Sequence, residues 1–121
     1  MHEDRTICSK GFLIDLRRRH ANPIAYAMGG KGVISVLANA FPVIFKKIKE
    51  HSFAGNYSKA SDEQFKILDI NSPMYEEGNP VGVKYVMSLM GLCQPFVRLP
   101  LLEASTSLQK RIQKLYANMK K

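Results

Sequence analysis

The sequence predicts a mostly α-helical chain that carries one buried strand without a visible partner. Three observations lead there. Four segments after residue 38 keep apolar residues at helical spacing, the stripe of an amphipathic helix. Gly32-Val33-Ile34-Ser35-Val36 is short, β-branched and apolar on both faces, and so reads as a fully buried strand. The chain has 121 residues, enough for one domain with its own core but too few for a complete (β/α)8 barrel, which needs about 200 residues at least.

Residues 1–20 carry little pattern, although Phe12-Leu13-Ile14 is a short apolar run and the one further strand candidate. Pro23 to Met28 reads as one or two helical turns with proline in the permitted first turn, stopped by Gly29 and Gly30. Val33–Val36 is the strand. Asn39 to Glu50 is the first long helix, with Asn39 as its cap and Pro42 in its first turn. Phe41, Ile44, Phe45 and Ile48 form its stripe. Lys46, Lys47 and Lys49 face elsewhere, near the C-terminus that suits cations.

Ala54 to about Tyr75 reads as a second helix, with Tyr57, Ala60, Gln64, Phe65 and Leu68 at helical period. Asn79-Pro80 supplies a cap and a first-turn proline for a third, with Val83, Val86, Met87 and Met90 as its stripe and Gly91 as its end. Pro95 and Pro100 break the next stretch. Leu108, Ile112, Leu115 and Met119 mark a last helix, with Thr106 and Gln109 spaced as a capping box. Phe53 onward is thus a small helical bundle.

Composition narrows the function classes. The apolar fraction of 45% and the charged fraction of 23% are ordinary for a globular protein. No window of about 18 apolar residues exists to span a bilayer. The opening residues place His2, Glu3, Asp4 and Arg5 before any apolar run, unlike a signal peptide. Cys8 and Cys93 make no disulfide framework and read as free thiols in a reducing, cytoplasmic setting. The net charge of +8 invites a nucleic-acid reading. Its three blocks, around Arg17–Arg19, Lys46–Lys49 and Lys110–Lys121, lie far apart, and two fall on polar helix faces, so nucleic acid is disfavoured as a partner. The Phe41/Phe45 helix with its lysines reads as core-facing rather than membrane-bound.

No residue set carries chemistry by itself. Gly29-Gly30-Lys31-Gly32 lacks the glycine spacing of a phosphate loop and precedes a strand instead of a helix. A helix stop and tight turn explain it. His2, His20 and His51 share no metal-ligand spacing with each other or with the cysteines, so no metal is expected. No nucleophile elbow or paired carboxylate motif is present.

A resemblance reaches further. Gly29-Gly30-Lys31-Gly32-Val33-Ile34-Ser35-Val36-Leu37-Ala38-Asn39 resembles the GG-x-GVISV-x-AN segment of the 4-hydroxy-tetrahydrodipicolinate synthase family, also called dihydrodipicolinate synthases. Glu77-Gly78-Asn79-Pro80-Val81-Gly82-Val83-Lys84 is similar to that family's E-x-NP-x-x-VK segment, which separates it from the sister N-acetylneuraminate lyases. Met90-Gly91-Leu92 and Arg98-Leu99-Pro100-Leu101 resemble its subsequent segments, in order and in register. The likeness covers roughly residues 21–121.

The resemblance implies the C-terminal fragment of a TIM (β/α)8 barrel, with its last one or two strands and last helix, plus a C-terminal helical domain. Residues 1–52 would be the remnant of the barrel end, with strand 33–36 and helix 39–50, and residues 53–121 the helical domain. It implies a lyase that condenses pyruvate with aspartate semialdehyde through a lysine Schiff base, in lysine and diaminopimelate synthesis. The imine turns pyruvate into an enamine nucleophile. No cofactor is implied, and a homo-oligomer is compatible.

The family's catalytic lysine and tyrosine lie on earlier strands that this chain does not match. Lys31 and Lys84 match non-catalytic positions. Ile34 matches the isoleucine beside bound pyruvate, at the C-terminal end of the last strand, where barrel active sites lie. Ser35 and Asn39 flank it. The chain alone is expected to be inactive and prone to associate through apolar surface. Two other readings stay open: a stand-alone basic helical module binding RNA or a synthase subunit, and another pyruvate-dependent aldolase of the superfamily.

One departure is informative. The family carries an SGDD-type segment where this chain has Leu16-Arg17-Arg18-Arg19-His20-Ala21-Asn22. The codons CTC CGG CGA CGA CAC GCT AAC encode that stretch, and reading one base later gives SGDDTL. Residues 16–22 are therefore compatible with a frame-shifted family segment. Exchanging three Arg for two Asp would lower the net charge by five, from +8 to +3.

Overall fold

The computed structural model describes residues 22–119. The apolar run 12–14 and nearly all of the arginine block in 16–22 lie outside the described residues, as do Cys8, His2 and His20. In chain order the elements are α1 (Asn22–Ala27), a 3-10 turn (Leu37–Asn39), α2 (Pro42–Phe53), α3 (Tyr57–Lys66), α4 (Leu68–Asn71), a second 3-10 turn (Ser72–Met74), α5 (Val81–Leu89) and α6 (Thr106–Met119).

α1 ends as its glycines require. Gly29 adopts φ +91°, a left-handed conformation that costs glycine little. The Gly29 and Gly30 amides donate to the Tyr26 and Ala25 carbonyls at 3.1 and 2.9 Å.

The expected strand 33–36 is not formed as a strand. Val33 makes a single β-bridge, and no ladder exists among the described residues. Val36 already has helical angles, φ −62° and ψ −45°. A strand is stable only with neighbours on its edges to take its amides and carbonyls, and the described chain supplies none. The chain turns into the 3-10 segment instead.

That turn also displaces α2, which runs over Pro42–Phe53 rather than 39–50. The Asn39 side chain caps nothing; its Nδ2 donates back to the Val36 carbonyl at 3.0 Å. Phe41 holds the cap position, and Pro42 opens the helix, where its missing N–H costs no intrahelical bond. The stripe is as expected: Phe41, Phe45 and Ile48 are buried, and Ile44 packs partly against them.

The single helix expected over 54–75 is three pieces. Asn56 caps the first, its side chain accepting from the Lys59 amide at 3.2 Å. Ile67 leaves helical geometry at φ −107° and ψ 3°, closing α3 and opening α4, and both Ile67 and Ile70 are thereby buried. Pro73, with no N–H to give, falls in the second 3-10 turn. Ala60 and Gln64 are buried as the period requires, but Tyr57 and Phe65 are exposed.

α5 begins one residue later than the proline spacing implies, with Pro80 at the cap position. α6 is capped by Ser105 rather than by a Thr106/Gln109 box, since the Leu108 amide donates to Ser105 Oγ at 3.3 Å. Gln109 instead sends its Nε2 to the Ala104 carbonyl at 2.7 Å.

One apolar core ties these pieces together. It runs from Tyr26 and Leu37 through Phe45, Ile48, Ile70, Met74 and Val86 to Leu108 and Ile112. α2 packs on α3, and α1 packs on both. α5 packs on α6, with Gln113 Nε2 donating to the Tyr85 hydroxyl at 2.7 Å. No described helix is long and apolar enough to cross a membrane.

Candidate functional site

The residues with a carried-over site role lie between α1 and α2. α1 and its glycine stop bring the chain to Lys31, and Val33 and Val36 pack partly on the core. Ile34, between them, is 63% exposed. Its apolar side chain therefore faces outward from a segment seated by its neighbours. Ser35 is half-buried beside it, and Asn39 has its amide turned back to Val36. The structure thus holds Ile34 by packing Val33 and Val36, and it directs the Asn39 amide into a local turn instead of toward a ligand.

What this segment can do chemically is limited. Apolar Ile34 can form one wall of a binding site and can exclude water. It supplies no acid, base or nucleophile. Lys31 is exposed. The amides of Gly29 and Gly30 are spent on closing α1, which removes them as phosphate donors. Lys84 is committed elsewhere: its Nζ donates to the Phe96 carbonyl at 2.5 Å and ties α5 to the loop after it.

The two described hollows lie away from Ile34. One, of about 380 Å³, is lined by Ile44, Lys66, Asp69, Ile70, Leu115 and Met119 among others. The other, of about 540 Å³, lies on the loop Gly91–Pro95 beside Ser88. Among the described residues no group of three His, Cys, Asp or Glu could hold a metal ion.

The perturbed titrating groups are structural. Burial raises the phenol pKa of Tyr26 and of Tyr75. The Glu77 carboxyl is held below its ordinary value by hydrogen bonds from the Ser105 side chain and then from its backbone. None of the three flanks Ile34 in the chain. A second feature is not apparent from the sequence motifs: Ile24 and Met28, four apart on and just after α1, are 60% and 74% exposed. Their i, i+4 spacing is the signal that could have found them.

Several known proteins are similar to this chain in sequence and in fold. The model of the dihydrodipicolinate synthetase family matches residues 19–119. The 4-hydroxy-tetrahydrodipicolinate synthase of Karelsulcia muelleri is 40% identical over 93 residues, which are 77% of this chain and 31% of that enzyme. The synthase of Cytophaga hutchinsonii is 38% identical over 93 residues, with the same shares covered. A crystal structure of a dihydrodipicolinate synthase superimposes with a TM-score of 0.81 at 30% identity, over 91% of this chain and 38% of that one. The chain thus spans about a third of the length of the curated relatives it matches.

Proposed function

Because the chain belongs to the dihydrodipicolinate synthetase family, we propose that it is the C-terminal portion of a lyase that condenses pyruvate with aspartate semialdehyde, in lysine and diaminopimelate synthesis. The observation that carries this reading is the family match over residues 19–119. In that reading residues 1–52 are the end of the (β/α)8 barrel, and residues 53–121 are its helical appendix. Val33–Val36 becomes a strand only when its sheet neighbours are present. Ile34 then forms the apolar wall beside pyruvate.

The chain by itself is catalytically inert. It forms no Schiff base with pyruvate, because the family's lysine and tyrosine belong to positions it does not match. Residues 16–22 are a frame-shifted form of a segment near the substrate, and the coding DNA tests that directly: a sequence that cannot yield SGDDTL one base later removes the idea.

The functional test is a chimera. The Cytophaga hutchinsonii synthase, with the segment this chain matches replaced by residues 23–121, should condense pyruvate with aspartate semialdehyde. Ile34→Asp in the chimera should raise the KM for pyruvate. The 121-residue chain, treated with pyruvate and borohydride, should yield no lysine adduct. A soluble but inactive chimera, or a specific adduct on the isolated chain, would refute the reading.

A further inference from the structure

The helix break at Ile67 sets two opposite charges apart. Ile67, at φ −107° and ψ 3°, ends α3 and starts α4. In an unbroken helix Lys66 and Asp69, three residues apart, would be neighbours on one face. Here the Lys66 ammonium donates back along α3, to Glu63 Oε1 at 2.6 Å. No ion pair joins it to Asp69 among the described residues. The Asp69 carboxylate and the Asn118 carboxamide on α6 make no hydrogen bond among the described residues either.

Both charges line the same hollow of about 380 Å³. Its walls are apolar: Ile44 from α2, Ile70 from α4, and Leu115 and Met119 from α6. Ile70 is buried and the other three pack partly on the core, so the fold itself fixes these walls. Lys66, Asp69 and Asn118 are exposed and form the rim. The volume equals the share of about a dozen waters in the liquid and suits a small-molecule site. Apolar walls below one cation, one anion and an uncommitted amide complement a small dipolar ion with an apolar body. A simple fatty acid would leave Asp69 unmatched, and a simple amine would meet the Lys66 ammonium.

We propose that this hollow binds a free α-amino acid with an uncharged, branched aliphatic side chain. The ligand's ammonium pairs with Asp69. Its carboxylate accepts from Lys66, which keeps N–H donors beyond the one given to Glu63, and from the Asn118 amide. Its side chain lies against Ile44, Ile70, Leu115 and Met119. The site is separate from Ile34, so the proposal stands or falls independently of the synthase reading.

The experiment titrates L-leucine into the full, isotope-labelled 121-residue chain and follows its backbone amide spectrum. Amides in 66–70 and 115–119 should shift saturably, with a Kd on the order of 1 mM. Two analogues test the two charges. 4-Methylpentanoate lacks the ammonium and 3-methylbutylamine lacks the carboxylate, and each should bind at least about fivefold more weakly, the size of one exposed ion pair. The amine stands in for a Lys66 variant, because replacing Lys66 would strand Glu63, whose side chain is only 12% exposed. Asp69→Asn, at an exposed position, should weaken leucine binding about fivefold. Asp62→Asn removes an exposed carboxylate outside the hollow and should change nothing. Shifts that do not saturate, or that map away from the hollow, overturn the proposal. So does an analogue that binds as tightly as leucine, or an Asp69→Asn chain that binds it unchanged.

Discussion

Glu77 completes the cap of a helix whose cap residue lies 28 residues after it. Its Oε2 accepts the Ser105 amide at 2.8 Å, and its Oε1 accepts the Ser105 hydroxyl. Ser105 Oγ in turn accepts the Leu108 amide. In a local capping box the carboxylate on the cap amide comes from the third residue of the same helix. Here it comes from the turn before α5, so the contact also fastens α5 to α6. Both halves depend on an ionised Glu77 placed at the positive end of α6.

This arrangement makes the cap pH-dependent. The Ser105 hydrogen bonds lower the Glu77 pKa in the folded chain. The stabilisation is therefore fully present above the ordinary glutamate value and is lost as pH falls through the lowered one. Glu77→Gln should reduce the urea midpoint near pH 7, and the gap from the native chain should close under acid. Ser105→Ala should cost about 1 kcal/mol at neutral pH, the usual loss for a serine cap. A gap that is unchanged from pH 7 to pH 3 would contradict the assignment.

Gly82 is a packing residue. A Cβ there would lie 2.6 Å from Met74 Cα and 2.8 Å from the Pro73 carbonyl oxygen, both backbone atoms. Neither can swing away as a side chain would. Gly82→Ala should cost about 3 kcal/mol, the upper range for overpacking. Gly91→Ala meets no atom within 4 Å but carries φ +74°, so its cost should be the left-handed penalty alone, about 1 kcal/mol. Thermal melts of the two variants should rank in that order.

Ser52 shows the opposite sign. It is buried on α2, and its hydroxyl has no hydrogen-bond partner among the described residues. Removing an unsatisfied buried hydroxyl takes away a desolvation cost. Ser52→Ala should leave stability unchanged or raise it by up to about 1 kcal/mol, and denaturant titration decides. A clear loss would reveal a partner for the hydroxyl.

The parts legible in the sequence are those that local pattern alone decides. The α2 stripe and the Gly29 stop are set by period and φ preference. The strand at 33–36 is not legible in the same way, because its fate depends on neighbours that no local window contains. The break at Ile67 is hidden for a related reason: it serves to bury Ile67 and Ile70 together, a tertiary gain without a proline or glycine mark. Local spacing puts the α6 cap one residue late because the acid that selects Ser105 lies at Glu77. Of the site, Ile34 comes through resemblance alone. Its exposure is a property of the packed neighbours Val33 and Val36.

Lys84 tethers the loop after α5. Its ammonium donates to the Phe96 carbonyl across twelve residues, and Cys93 Sγ approaches the Lys84 carbonyl at 3.8 Å. The loop after α5 carries Leu92, Phe96 and Leu99, all exposed, while Val97 packs partly on the core. The charge-assisted hydrogen bond from a half-buried stem adds to that packing and to the Leu92 amide's bond to the Met87 carbonyl at 3.0 Å. Lys84→Met keeps the apolar stem and deletes the donor. It should cost about 1 kcal/mol in global stability. It should speed hydrogen exchange across residues 91–99 several-fold, while leaving α2 and α3 unchanged. Uniform acceleration across the whole chain would mean that Lys84 supports the core and not the loop.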